Sequence, residues 1–208
     1  MDGPPLMILP VNTLRNKNLV LHAFIVLLLL GNFSCQRVAE DSNERGLVTA
    51  ASGVLCAEGC VEKHAAVLVF SAVDCPISNR YAPTLRKLIR GMEGKPVHFS
   101  LVYPEPEIQQ LKIEEHLELF RYPCEGRPDP NFELVKLTGA TVTPEAVVID
   151  SVGKVVYRGR IDNRHKEFGK SRPKATTRDL GDAIEAVLAG KPVHEPFRPA
   201  VGCYISTE

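Results

Sequence analysis

The sequence predicts an α/β domain in which strands and helices follow one another in the order β-α-β-α-α-β-β-α. Short apolar runs bounded by turn residues indicate buried strands. Amphipathic stretches that end at a glycine or before a proline indicate helices between them. A Ser-Val-Gly turn at 151–153 joins the last two strands, and it predicts a β-hairpin.

Five elements are predicted in the first half of the domain from these patterns. They are a buried strand at 65–71, a helix at 81–90, a strand at 97–103, a helix at 107–121 and a short helix at 131–137. Gly91 ends the first helix, and Pro123 stops the second because proline cannot continue a helix.

The second half of the domain is predicted to hold a hairpin and one more helix. The hairpin strands are 145–150 and 154–160, and a long polar loop follows at 162–174. Thr176 or Thr177 is expected to cap a last helix that runs to Leu188. The tail at 191–208 is rich in proline and is predicted to be extended.

Composition sets limits on the function. The chain has 208 residues, 44% of them hydrophobic, and a formal net charge of zero. This balance gives no sign of nucleic acid or of an acidic membrane surface as a partner. Six cysteines are too few for a small disulfide scaffold, but they are enough to ask about redox chemistry or metal binding.

The N-terminus is predicted to be a signal for export. Arg15 and Lys17 precede an apolar run at 19–30, whose length is typical of a signal-peptide core and short for a membrane span. We expect a signal peptide at 1–35, and Cys35 is a candidate for lipidation. Ordinary cleavage and an uncleaved anchor stay open as alternatives. All three place the folded part outside the cytoplasm, in a periplasm or attached to a membrane through the N-terminus.

Cys75 is the residue that most strongly suggests chemistry. It stands with Pro76 where the first strand ends and an amphipathic stretch begins. A cysteine at a helix N-terminus faces unpaired N–H groups and the positive end of the helix dipole, and both favour the thiolate. Because the thiolate is the nucleophilic form, the sequence predicts thiol chemistry at Cys75. Asp74 is expected to cap the helix rather than to accept a proton.

A Thr143-Pro144 pair stands directly before the first hairpin strand, at some distance from the Cys75 segment. The segments that matter are Asp-Cys-Pro-Ile-Ser-Asn-Arg-Tyr-Ala-Pro at 74–83, Gly-Ala-Thr-Val-Thr-Pro-Glu at 139–145 and Tyr-Arg-Gly-Arg-Ile-Asp at 157–162. Together they resemble the extracytoplasmic redoxins of the thioredoxin-like superfamily, which also contains the AhpC/TSA peroxiredoxins.

The resemblance implies a thioredoxin-like fold with a central mixed sheet flanked by helices. It places this domain at 61–190, after a linker at 36–60 and before the tail. It also implies a cis peptide bond at Pro144, packed against Cys75, and an exported thiol–disulfide oxidoreductase. The implied partner is a protein disulfide or an electron-donor redox protein, and no cofactor is expected.

The motif departs from the dithiol pattern at Ser78. A dithiol thioredoxin carries a second cysteine at this position, whereas a serine hydroxyl can hydrogen-bond a thiolate but cannot form a disulfide. Cys75 is therefore expected to act as a monothiol or with a distant resolving cysteine. Cys203 and Cys124 are the candidates, and burial as a small apolar side chain stays open for each of them.

Two further hypotheses compete with this one. The first is a thiol peroxidase of non-standard type with an antioxidant role, although Leu68 and Ala72 stand where peroxiredoxins carry a proline and a threonine. The second is a non-enzymatic metal-binding or assembly module that uses Cys56, Cys60 and His64, a weak candidate set for zinc or copper(I). A local disulfide or two unpaired thiols is the favoured interpretation of Cys56 and Cys60, so no metal site is expected.

Overall fold

The computed structural model describes residues 65–207. The predicted signal peptide and linker lie outside these residues, as do the lipidation candidate Cys35 and the three weak metal-ligand candidates Cys56, Cys60 and His64. Between 65 and 207, no helix combines the length and the apolar character that crossing a membrane requires.

Strands and helices are numbered in chain order within the described range. The strands are β1 Ala65–Phe70, β2 Val97–Tyr103, β3 Glu125–Pro128, β4 Val142–Thr143, β5 Glu145–Asp150, β6 Val155–Gly159, β7 His165–Glu167, β8 Lys170–Ser171, β9 Phe197–Arg198 and β10 Cys203–Tyr204. The helices are α1 Pro76–Arg90, α2 Gln110–Phe120, α3 Glu133–Thr138 and α4 Asp179–Leu188.

The central sheet is mixed and has six strands in the order β3-β2-β1-β5-β6-β9. β1 lies in its middle, pairing parallel with β2 and antiparallel with β5. β5 and β6 form the antiparallel hairpin that the Ser-Val-Gly turn predicted. The α/β class and the mixed sheet flanked by helices are therefore confirmed.

Both faces of β1 are covered, which explains its unbroken apolar sequence. Side chains alternate between the two faces of a strand. Val67 and Val69 accordingly belong to a core with residues of α1 and α4, while Leu68 and Phe70 belong to a second core with residues of α3. Packing on both faces thus fixes the position of β1, and with it the start of the loop that follows this strand.

The predicted strands β2 and β5 have the bounds that the sequence indicated, but α1 starts earlier than expected. It begins at Pro76 rather than Tyr81, with Cys75 as its N-cap residue. Proline is well suited to the first helical position because its missing N–H would have no intrahelical partner there. The longer helix carries Cys75 directly at its N-terminus.

Three features of the fold differ from the prediction. The edge strand β3 was missed, and the loop at 162–174 contains the small hairpin β7–β8. The expected threonine cap of the last helix is wrong: Arg178 is the N-cap residue of α4, and its side chain makes no capping hydrogen bond. The Thr177 hydroxyl instead donates to the Asp179 carboxylate at 2.6 Å.

The C-terminal tail contributes two short strands that return to the domain. β9 pairs parallel with β6, and β10 pairs antiparallel with β4. Gly159 allows the first of these contacts, because a Cβ atom there would lie 1.9 Å from the carbonyl oxygen of Arg198. The tail is therefore extended, as predicted, and it is also paired at two places.

Candidate active site

Cys75 is placed by the short turn between the central strand and the first helix. Its backbone is extended, with φ −80° and ψ 111°, and its carbonyl accepts the first helical hydrogen bond from the Asn79 N–H at 3.0 Å. Asp74 is exposed, and no side chain caps the helix, so the expectation that Asp74 caps it is wrong. The helix N-terminus is consequently open toward Cys75 itself.

The Cys75 sulfur is buried and has two close partners. Its Sγ atom lies 2.9 Å from the Sγ atom of Cys203 and 3.1 Å from the carbonyl oxygen of Thr143. The side chain is only 3% exposed. These contacts bring the cysteine, the tail and the strand β4 to one point.

The pKa of Cys75 is lowered to about 7. Burial is the largest single effect and raises the pKa, but hydrogen bonds from Cys203 and from the hydroxyl and backbone N–H of Ser78 outweigh it. The Thr143 carbonyl is a pure acceptor, so it stabilises the thiol rather than the thiolate. The low pKa therefore comes from Cys203 and Ser78, with a smaller lowering effect from the Thr143 side chain.

Ser78 lies one turn into α1 with its hydroxyl inside the protein. The side chain is 1% exposed, and its Oγ atom makes no hydrogen bond of normal geometry within the described residues, although the hydroxyl lies close enough to Cys75 to lower the pKa of that thiol. A buried hydroxyl without a hydrogen-bond partner destabilises the folded state, and a thiolate beside it gives its O–H group an acceptor. Ser78 thus makes the charged form of Cys75 more favourable.

The peptide bond between Thr143 and Pro144 is cis, as the resemblance implied. It lies between β4 and β5, so the carbonyl that contacts Cys75 belongs to the residue just before the proline. Strand pairing thus sets the separation of the two segments, because β5 is the direct neighbour of β1.

Comparison with known proteins agrees with this architecture. No family model matches the chain, and no curated protein matches it. Among solved structures, an uncharacterized conserved protein from Geobacillus kaustophilus shares 27% identity over 70% of this chain and 78% of its own, with a TM-score of 0.59. A hypothetical protein from Sinorhizobium meliloti shares 25% identity over 69% of this chain and 80% of its own, also with a TM-score of 0.59.

A more distant similarity is to a secreted disulfide oxidoreductase from Mycobacterium tuberculosis, at 16% identity over 62% of this chain and 83% of its own, with a TM-score of 0.42. The described residues have a thioredoxin-like fold. In this domain the mixed sheet, the cysteine at the start of α1 and the cis-proline before β5 stand in the arrangement that the resemblance implied.

Cys203 reaches the thioredoxin-like core through the pairing of β10 with β4. Cys203 lies opposite Thr143 in the antiparallel register, and Tyr204 lies opposite Val142. The Cys203 thiol is partly buried, and its pKa is raised to about 11 by burial and by the neighbouring Cys75. The two sulfurs therefore differ in character, since Cys75 favours the thiolate and Cys203 favours the thiol.

Cys124, the other candidate partner, lies apart from this pair. It is half-buried and packs against the core, near the rings of Tyr103 and Tyr122. Burial, together with the nearby Glu125 charge, raises its pKa to about 12. Within the described residues Cys124 makes no hydrogen-bond contact with Cys75, so the structure brings only Cys203 to that sulfur.

A polar network under the Cys75 loop was not predicted. The Asn79 amide donates to the Val73 carbonyl at 2.9 Å, and its oxygen accepts from His116 Nε2 at 2.9 Å. His116 Nδ1 accepts from the Tyr103 hydroxyl at 2.8 Å. Burial lowers the pKa of His116, which keeps the ring neutral and fits this donor and acceptor pattern. The network fixes the loop that presents Cys75.

Glu105 supports the same loop from the other side. Its carboxylate accepts a hydrogen bond from the Val73 N–H at 3.3 Å, and burial is the main reason that its pKa is raised. Of the residues that support this loop, only Asn79 could have been found from the sequence, because it follows Cys75 by four residues, one helical turn later. His116 and Glu105 come from separate elements, and only the fold brings them here.

The described residues hold no group of three or more histidine, cysteine, aspartate or glutamate side chains arranged for a metal ion. The exposed Pro76 serves as the first residue of α1 and leaves the sulfur of Cys75 free of a backbone N–H at that position. The arrangement around Cys75 is thus a pair of thiols, one buried hydroxyl and a backbone edge. The reactive groups of this site are the two thiols.

Proposed function

We propose that this chain is a thiol–disulfide oxidoreductase in which Cys75 is the nucleophile and Cys203 is the resolving cysteine. The observation that carries this proposal is the 2.9 Å contact between their sulfur atoms. The pKa of Cys75 is lowered and that of Cys203 is raised. This difference supports the assignment of roles, because the nucleophile must be a thiolate and the resolving cysteine can stay protonated until the second step.

The first step is attack on a partner disulfide. The Cys75 thiolate forms a bond to one sulfur of the partner, and the partner's S–S bond breaks. The second partner sulfur leaves as a thiolate and takes a proton from solvent. The product is a mixed disulfide between Cys75 and the partner, and no electrons have yet left the pair of proteins.

The second step releases the partner. Cys203 loses its proton to solvent and attacks the Cys75 sulfur, and the bond between Cys75 and the partner breaks. The partner leaves as its second thiolate. The partner has gained two electrons, and Cys75 and Cys203 have lost two as they form an intramolecular disulfide. A dithiol donor protein reverses the sequence and restores the enzyme.

Ser78 and the β4 edge are positioning elements in this scheme. The Ser78 hydroxyl stabilises the attacking Cys75 thiolate. Thr143 presents backbone groups on which an extended partner segment aligns beside Pro144. Neither role requires a metal or a cofactor, since every electron moves through sulfur.

We also propose that the protein acts outside the cytoplasm. The basic residues Arg15 and Lys17 before the apolar run at 19–30 support export, and Cys35 is the residue that lipidation would modify. Disulfide bonds persist in an oxidising compartment, so an enzyme that reduces or forms them would find its substrates there. The thiol peroxidase hypothesis receives no support from Ala72, which packs against the core and carries no hydroxyl.

Trapping of the mixed disulfide tests the proposed roles. Cys203→Ala should accumulate a covalent adduct with a disulfide-bonded model substrate, while Cys75→Ala should form none. Cys124→Ala serves as the matched control, and it should still form the Cys75–Cys203 disulfide in peptide mapping. An adduct in Cys75→Ala, or a disulfide between Cys75 and Cys124, would overturn the assignment.

A further inference from the structure

The backbone edge beside the cis-proline is occupied by the chain's own tail. β10 pairs antiparallel with β4, in the register that places Cys203 opposite Thr143. The Ile205 N–H also donates to the Thr141 carbonyl at 3.0 Å, one step beyond the strand. Such pairing is how an extended segment adds to an exposed strand, with main-chain hydrogen bonds for affinity and side-chain fit for specificity.

The approach of the tail is closest at Gly202. A Cβ atom at this position would lie 2.1 Å from the Thr143 carbonyl oxygen, 2.6 Å from its carbonyl carbon and 3.1 Å from the Pro144 nitrogen. All three atoms belong to the backbone, so no side chain can rotate away to make room. The position before the cysteine therefore accepts glycine alone in this register.

The side chains after the glycine follow a simple alternation. Cys203 and Ile205 are partly buried and pack against the two cores, while Tyr204 is 89% exposed. A strand that presents a cysteine inward at this place delivers its sulfur to Cys75. The tail thus has the form of a bound peptide with the sequence Gly-Cys-Tyr-Ile.

Few contacts hold this segment when both thiols are reduced. β10 is two residues long, and its largest side chain faces solvent. Short strands with exposed hydrogen bonds open at low free-energy cost. A segment attached to the same chain competes at an effective concentration in about the millimolar range, so an external peptide must overcome this internal rival.

We propose that the tail at 201–205 is an internal substitute for the substrate, and that external substrates are extended polypeptide segments in which glycine immediately precedes the reactive cysteine. The substrate segment replaces the tail on the β4 edge in the same register, so that its sulfur meets Cys75 where that of Cys203 lies. This inference rests on the proposed function and adds the recognition rule for its substrate.

Non-covalent peptide binding tests the rule without any redox step. The probes are fluorescently labelled Ala-Val-Gly-Ser-Tyr-Ile, with serine in place of cysteine, and the same peptide with valine in place of glycine. Anisotropy is measured with the reduced protein, with Gly202→Val and with Ser206→Ala. Gly202→Val should displace the tail because its Cβ atom would collide with the Thr143 carbonyl, while Ser206 is exposed and lies beyond the paired residues.

The glycine peptide should bind Gly202→Val about tenfold or more tightly than the wild type or Ser206→Ala, because the internal competitor is gone. The valine peptide should bind each protein at least about tenfold more weakly than the glycine peptide, because its side chain meets the same carbonyl. Equal binding of the two peptides overturns the proposal. So does the absence of a gain in Gly202→Val, or the absence of binding to any of the three proteins.

The peptide contrast in the wild-type protein keeps the test valid even if Gly202→Val folds poorly. A separate disulfide-exchange assay with the wild type distinguishes the two proposals. If the glycine peptide binds more tightly than the valine peptide but no disulfide exchange is detected, the oxidoreductase proposal is wrong and the glycine rule for peptide binding stands. Exchange without discrimination would leave the function and remove the glycine rule.

Discussion

The sulfur atoms of Cys75 and Cys203 lie 2.9 Å apart although 128 positions separate the two residues in the chain. The thioredoxin-like domain therefore obtains its second thiol from the tail rather than from the helix that carries the first. Ser78, at the position that would hold a neighbouring cysteine, lowers the pKa of the Cys75 thiol instead. This division of roles leads to the predictions that follow.

The reactivity of Cys75 should follow a titration near neutral pH. Its pKa is about 7, so the rate of alkylation by iodoacetamide should rise as the pH increases through 7 and level off above it. Cys203→Ala removes one hydrogen-bond donor and should move this midpoint toward higher pH. The measurement is the alkylation rate at Cys75, read by mass spectrometry across pH. A midpoint that stays fixed in the variant would contradict the role of Cys203.

Ser78→Ala should raise the pKa of Cys75. The hydroxyl contributes a hydrogen bond to a charged group, and a loss of about 1.4 kcal/mol corresponds to about one pKa unit. Thiolate absorbance in the ultraviolet, followed against pH, measures the shift. Ser206→Ala, in the exposed end of the tail, is the matched control and should leave the curve unchanged. A fully folded Ser78→Ala with the wild-type curve would argue against the hydroxyl.

Asn79→Ala should destabilise the domain and loosen the loop before Cys75. The change removes the bond to the Val73 carbonyl and leaves the buried Nε2 atom of His116 without its acceptor. Unsatisfied buried groups cost about 1–3 kcal/mol each, so the free energy of unfolding should fall by about that amount. Denaturant unfolding gives the value. Arg80→Ala, on the exposed side of the same helix, should change it by less than about 0.5 kcal/mol.

Asp179 should make the stability depend on acid pH. Burial alone would raise the pKa of its carboxyl, but hydrogen bonds from Arg160 and Thr177 outweigh burial and lower it. Arg160 contacts both carboxylate oxygens, at 3.0 and 3.2 Å. A lowered pKa in the folded state stabilises the protein above the unfolded value of about 3.9, and this contribution is lost as the pH falls through the folded pKa.

Asp179→Asn should therefore lose about 2 kcal/mol of the free energy of unfolding at neutral pH. The difference between variant and wild type should shrink as the pH falls below about 4. Thermal unfolding at several pH values measures both effects. A constant difference across the whole range would show that the carboxyl charge is not the source of the stability.

The sequence predicted those parts of the fold whose pattern is local. β1 and the four central residues of β5 are apolar runs because both faces of these strands are covered, and the Cys75 and Thr143-Pro144 segments carry local motifs. β3 was missed because it lies at the edge of the sheet and its residues are polar. The choice between Cys203 and Cys124 depends on how the tail pairs with β4. That pairing is a long-range contact with no local signature.

The pairing of β9 with β6 sets how far the thiol of Cys203, the proposed resolving residue, can travel. Arg198 lies against Gly159, and the Arg158 guanidinium lies 5.0 Å from the centre of the Phe197 ring. Cys203 is five steps along the chain from Arg198, so even a fully stretched chain keeps it within roughly 17 Å of that anchor. If β10 separates from β4, the thiol of Cys203 consequently stays close to Cys75. In the proposed scheme, resolution of a mixed disulfide is then a first-order step whose rate does not depend on protein concentration, even when a substrate segment has replaced the tail.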